Sequence, residues 1–250
     1  MTGQSEPETY PETYNACAYW GPRKEAPEEC AWRTADFLSR LASCDPFLAH
    51  WYKSARSVKD SLKSPLTPRD LPTLTAAFKE GVNREGEGPA FEELGFRVSL
   101  YNGGTSRAYA ALNIRCGMSV EAGANSCVLS PLKPGRDADR VLTAPVLTAV
   151  VRSMVHPWEP DWAIATSTAQ RVQEPDSAPF SLGWITYLSR RLGKVPPLPT
   201  PVSIEPIEDK GTLIVLTSER FTTANPEHLA LARRVRELLA TAGLLRPTAH

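Results

Sequence analysis

The chain has 250 residues, an apolar fraction of 42% and no net charge, with 28 basic side chains against 28 acidic ones. That length allows one large or two small domains with roughly 70% of the chain's surface buried, and the composition excludes collagen-like, wholly disordered and coiled-coil chains. No apolar run approaches ~18 residues, so no membrane span is expected, and the charge balance argues against a broad nucleic-acid-binding face.

Residues 1–13 are rich in Pro and Glu and read as a flexible arm. Met1–Tyr14 has neither the basic start nor the apolar stretch of a secretory signal. Asn15–Trp20 reads as a strand. Pro27–Cys44 reads as a helix, because Ala31, Thr34, Leu38 and Leu41 share one face, and Asp45-Pro46 ends it. Phe47–Tyr52 is strand-like, and Lys53–Leu66 is polar. Thr67-Pro68-Arg69-Asp70 places a capping Thr before a first-turn Pro and so opens a helix, with Leu71, Leu74, Phe78 and Val82 as its stripe. Asn83–Pro89 is a loop. Phe96–Tyr101 and Tyr109–Gly117 flank the turn-forming Asn102-Gly103-Gly104 and form a hairpin. A further strand covers Ser126–Leu132.

Val141–Met154 is helical, with its start drawn toward Pro145 because proline is tolerated in a first turn. Trp162–Ser167 and Trp184–Ser189 read as strands on either side of a polar loop, Gln170–Pro179. Leu192–Pro201 carries four prolines and is a stiff connector. Thr212–Thr217 is the most apolar strand candidate and is expected at the centre of the sheet. Asn225-Pro226 caps the clearest helix, with Leu231, Val235, Leu238 and Ala242 inward and Gly243 as its stop. Hairpins are present and strict strand–helix alternation is not. The expected fold class is therefore α+β: a largely antiparallel sheet with helices packed on it, forming a single domain over residues 14–245.

Chemistry-bearing motifs are sparse. The five cysteines are Cys17, Cys30, Cys44, Cys116 and Cys127. They are odd in number and lack C-x-x-C spacing, which reads as reduced thiols acting as small buried hydrophobes. The histidines, His50, His156, His228 and His250, show no metal-ligand spacing. There is no G-x-S-x-G elbow, phosphate loop or G-x-G-x-x-G. Glu208-Asp209-Lys210 precedes Gly211 and reads as a turn. The six tryptophans, Trp20, Trp32, Trp51, Trp158, Trp162 and Trp184, are distinctive. Most are expected in the core, with one or two as exposed anchors for a partner. Residues 1–50 hold eight acids and four bases, a balance of −4, so an acidic surface could steer toward a basic partner. A hydrolase assembled from distant segments and a small-ligand binding module stand as alternatives.

An ordered set of short motifs runs through the chain: Tyr19-Trp20-Gly21, Tyr101-Asn102-Gly103, Trp158-x-Pro160-Asp161-Trp162, Gly183-Trp184-Ile185-Thr186-Tyr187-Leu188, and Gly211-Thr212-Leu213-Ile214-Val215 with Phe221 and a closing Leu-rich helix. Together, over about Tyr14–Leu245, they resemble the immunity protein 52 family of bacterial polymorphic toxin systems. No single motif is specific; their order carries the resemblance. The cysteines and the Pro-rich arm depart from it. The resemblance implies a non-enzymatic protein that binds and neutralises a cognate toxin made beside it. That toxin would be a restriction-endonuclease-like DNase delivered by a contact-dependent or type VI secretion system. The site of action would be the cytosol, with no cofactor, metal, membrane or direct nucleic-acid partner. Under this reading the expected toxin-binding residues are Glu25, Glu28 and Glu29 at the first helix start, with Trp158 and Asp161.

Overall fold

The computed structural model describes residues 12–67, 70–84, 88–105, 108–121, 123–133, 135, 139–173 and 181–245. The expected arm lies outside these residues except for Glu12 and Thr13, and so do Pro68-Arg69, most of the Gln170–Pro179 loop and His250.

Among the described residues ten strands form one antiparallel sheet: β1 (Tyr14–Trp20), β2 (Trp51–Lys53), β3 (Pro65–Leu66), β4 (Leu94–Tyr101), β5 (Ala111–Met118), β6 (Asn125–Leu132), β7 (Trp162–Ser167), β8 (Ile185–Ser189), β9 (Ser203–Ile207) and β10 (Gly211–Val215). Their spatial order is β3-β2-β4-β5-β6-β1-β7-β8-β10-β9. The helices are α1 (Pro27–Ala42), α2 (Val58–Ser61), α3 (Leu71–Glu80), α4 (Ala144–Trp158), α5 (Thr168–Val172) and α6 (Pro226–Thr241). The expected α+β class is thus the one observed.

Side-chain alternation sets the two faces of the sheet. On β4 and β5, Phe96, Val98, Leu100, Leu112, Ile114 and Cys116 are buried, whereas Arg97, Ser99, Asn113 and Arg115 between them are exposed. The inner face is covered by α1, α3 and α4. Trp20 of β1 stacks on Trp158 of α4 with ring centroids 5.1 Å apart, and Phe37 of α1 meets Trp158 edge-on. α6 and the connector after β8 add Val235, Leu239, Leu244 and Val195 to the same core.

Several sequence expectations shift for identifiable reasons. Phe47–Tyr52 is not one strand: Asp45 caps a single 3-10 turn over Pro46–Leu48, and only Trp51–Lys53 pairs. α3 is capped by Asp70, whose carboxylate accepts from the Thr73 amide, and not by Thr67. Leu71 consequently sits in the first turn and is exposed, leaving Leu74, Ala77 and Phe78 as the buried stripe. α4 runs on to Trp158, since Pro157 lies in the last turn rather than at a break. β10 is next to the sheet edge and not central, because β9, unrecognised in the Pro-containing Ser203–Ile207, pairs outside it. α5 occupies the start of the expected Gln170–Pro179 loop, with Ser167 capping it by accepting from the Gln170 amide. α6 keeps its Asn225 cap, but its buried positions are His228, Val235 and Leu239, with Ala242 exposed.

The cysteines also require correction. Cys30 of α1 and Cys116 of β5 are joined by a disulfide spanning 86 positions, with Cα atoms 6.3 Å apart. Cys17, Cys44 and Cys127 are free. Burial raises the pKa of all three, and Cys44 reaches about 11. None is therefore a thiolate at neutral pH.

Candidate functional site

Three of the five residues expected to meet a toxin converge at one end of the sheet, where β1 and α4 end and β7 begins. Glu25 is buried, with 3% of its side chain exposed, between two arginines. Its Oε1 is 3.1 Å from Arg23 Nε and 2.5 Å from Arg33 Nε. The two guanidiniums also bind the end of α4. Arg23 Nη1 donates to the Trp158 carbonyl at 3.0 Å, and Arg33 Nη1 donates to that of Pro157. These are the C-terminal carbonyls that lack intrahelical donors, and cations there also oppose the helix dipole. Gly117, at φ +79°, has no side chain to strike the Glu25 carbonyl: a Cβ there would lie 2.9 Å from that oxygen.

Asp161 ties three strands together. Its Oδ2 accepts from the Gly21 amide at 2.9 Å, and its Oδ1 pairs with Arg191 at 2.9 Å. Its backbone N–H donates to Tyr19 and its carbonyl accepts from Ser189, both at 2.9 Å. Glu159 ends α4 in the left-handed region at φ +45° and pairs with Lys210 at 3.1 Å. A cleft of about 600 Å³ lies over this network, lined by Arg23, Glu159, Tyr187, Arg190, Arg191 and Lys210. Tyr187 donates its phenol to the Lys210 carbonyl at 3.0 Å, and burial pushes its pKa up to about 12. It stays neutral and engaged at physiological pH.

The five expected residues therefore divide. Trp158 has 0% exposure, Glu25 6% and Asp161 5%, so all three work inside the fold. Glu28 and Glu29 stand on the surface of α1. Glu28 pairs with Lys79 at 2.7 Å, and Glu29 accepts from the Ala26 amide at 2.7 Å as a first-turn cap. The structure brings Glu25, Trp158 and Asp161 together, while Glu29 lines a neighbouring cleft beside Glu25, and Glu28 pairs with Lys79 of that cleft. Sequence reasoning missed the arginines that neutralise the buried acids. The only signal for them was an arginine two residues before Glu25 and another eight after it. Of the six tryptophans, Trp20, Trp51, Trp158 and Trp184 are buried, Trp162 is half-buried and Trp32 is exposed. Among the described residues no group of three or more His, Cys, Asp or Glu side chains is placed to hold a metal, and no helix is long and apolar enough to cross a membrane.

Fold and site together define an α+β protein with an internally neutralised ionic network at one end of a single antiparallel sheet. The chain belongs to the immunity protein 52 family, whose model matches residues 12–248. Its fold is similar to that of the Pseudomonas aeruginosa T6SS protein PA0821, at a TM-score of 0.53 and 15% identity over 96% of this chain and 75% of that one. No curated protein matches it.

Proposed function

We propose that this protein is a non-catalytic inhibitor that neutralises a cognate secreted toxin by stoichiometric binding. The observation that carries the reading is the family match over residues 12–248, nearly the whole chain. The cleft is consistent with it. Glu25, Asp161 and Glu159 are each held by a cation, which makes them supports of the fold rather than acids or bases awaiting a substrate.

For the toxin we propose a restriction-endonuclease-like DNase delivered by a type VI or contact-dependent system. The motif resemblance supports the nuclease class, and a T6SS protein of similar fold supports the delivery route. Action in the cytosol is the corresponding compartment, and it is tied to the redox state of Cys30 and Cys116. The test is to co-express the protein with the product of the neighbouring gene, purify the complex and assay DNA cleavage with and without the inhibitor. A stable complex with no cleavage supports the reading. A complex whose free toxin cleaves no DNA removes the nuclease class alone. No complex removes the function.

A further inference from the structure

The face of the sheet turned away from α1, α3 and α4 carries one row of side chains of unusual character. Arg97 of β4 lies directly opposite Arg115 of β5, Arg115 opposite Ser126 of β6, Ser126 opposite Tyr19 of β1, and Tyr19 opposite Trp162 of β7. At ~4.8 Å between strands, these five positions span about 19 Å. Both arginines are exposed. Tyr19 and Trp162 are half-buried and stacked, with ring centroids 4.4 Å apart and planes at 22°. Arg171 of α5 brings a third cation close enough to act on Tyr19 and Cys17.

Three observations separate this row from the rest of the surface. First, like charges directly opposite each other on a sheet are destabilising, and the Arg97–Arg115 pair is of that kind. Second, the other basic residue on a described strand, Lys53 of β2, meets a carboxylate, that of Glu80. Among the described residues Arg97 and Arg115 meet none, and no outward position of β1, β4, β5 or β6 carries an acid. Third, Arg, Tyr and Trp are the residue types that dominate binding hot spots, and here they occur in line. The α1 surface differs on the second point. Its exposed Trp32 is accompanied by Glu28, Glu29 and Asp36, which are already engaged by Lys79, the Ala26 amide and Arg40.

We infer that this outer sheet face is the toxin-docking surface, and that the toxin presents carboxylates to Arg97 and Arg115 and an apolar group to the Tyr19–Trp162 stack. The inference rests on the toxin-binding reading above and fixes the sign of the partner's surface: acidic. A nucleic acid would also answer the cations. The neutral chain favours the protein partner.

Calorimetric titration with the purified cognate toxin tests it. Wild-type protein that fails to bind removes the toxin-binding reading itself. Given wild-type binding, Arg97→Glu and Arg115→Glu, made singly, are each expected to weaken affinity by about tenfold or more. Each also converts a like-charge pair into an opposite-charge one, so the melting temperature is expected to hold or rise. Loss of binding without loss of stability separates an interface from a folding defect. Glu28→Lys with Glu29→Lys is expected to change affinity by less than about twofold. Unchanged affinity in both arginine variants overturns the inference. So does loss of binding in Trp32→Ala with the arginine variants unaffected, which moves the interface to α1. A fluorescent single-stranded oligonucleotide provides the last arm. No binding at about 0.15 M salt is expected, and binding that Arg97→Glu abolishes assigns the face to nucleic acid instead.

Discussion

Glu25 shows how a residue with the composition of a binding anchor becomes a structural one. An acid beside the first turn of a helix is ordinary at the surface, where the dipole favours it. Here Arg23 and Arg33 close over it and use their remaining donors on the end of α4. Removing one member of such a buried set leaves the others uncompensated, at about 3–5 kcal/mol. Glu25→Ala is therefore expected to lower the melting temperature by about 6–20 °C on the usual size scaling, while Glu28→Ala, which loses only an exposed ion pair, is expected to shift it by less than about 4 °C. Equal shifts in a thermal scan would contradict the assignment. Glu12 makes a second, pH-dependent case. Burial alone would raise its pKa, but hydrogen bonds from the Thr223 amide and hydroxyl and from Tyr14 outweigh that and hold the carboxyl below its ordinary value of 4.5. Its stabilising effect is present above that value and is lost as pH falls through the lowered one. Glu12→Gln is expected to melt below wild type at pH 7, with the gap closing under strong acid. A gap independent of pH would place the stabilisation in packing rather than charge.

Where capping and hydrophobic periodicity agreed, elements were legible in the sequence. α1 and α6 show this, with Pro in the first turn of each and Asn225 capping the second. β1, β7 and the β4–β5 hairpin were equally clear. Elements whose pairing is decided by distant chain were not. β9 contains a proline that local rules demote, and it exists because β10 offers it an edge. The residues of the proposed docking row were hidden for a related reason. Arg97 and Arg115 face each other within the β4–β5 hairpin, but Tyr19 and Trp162 lie far from it in the chain and join the row only through strand order. The Cys30–Cys116 link between α1 and β5 was likewise invisible to spacing rules, since its partners are 86 residues apart. It also bears on location, because disulfides persist in oxidising compartments and are rare in reducing ones. Alkylating the protein directly in cells and counting free thiols by mass spectrometry tests this. Three free thiols are expected if the disulfide forms in the cell, which places the encounter with the toxin outside the reducing cytosol. Five would support the cytosolic reading.

At the scale of the molecule, a continuous ten-stranded sheet of the described residues joins the ionic network at one end of β1 to the Arg97–Arg115–Ser126–Tyr19–Trp162 row on its outer face. Trp20 and Trp158 fill the inner side of the strand whose outer side carries Tyr19. In the proposed docking, Arg97, Arg115, Tyr19 and Trp162 are carried by paired strands, whose fixed backbone limits the entropy lost on binding. Residues 14–245 are expected to unfold in one cooperative transition, and two separated transitions by calorimetry would divide the sheet into independent units. The most direct test of the central claim is a titration of the cognate toxin's activity with increasing amounts of this protein. Inhibition that is linear and complete at one equivalent is expected of a stoichiometric immunity protein. Undiminished toxin activity in the presence of excess protein would contradict the account.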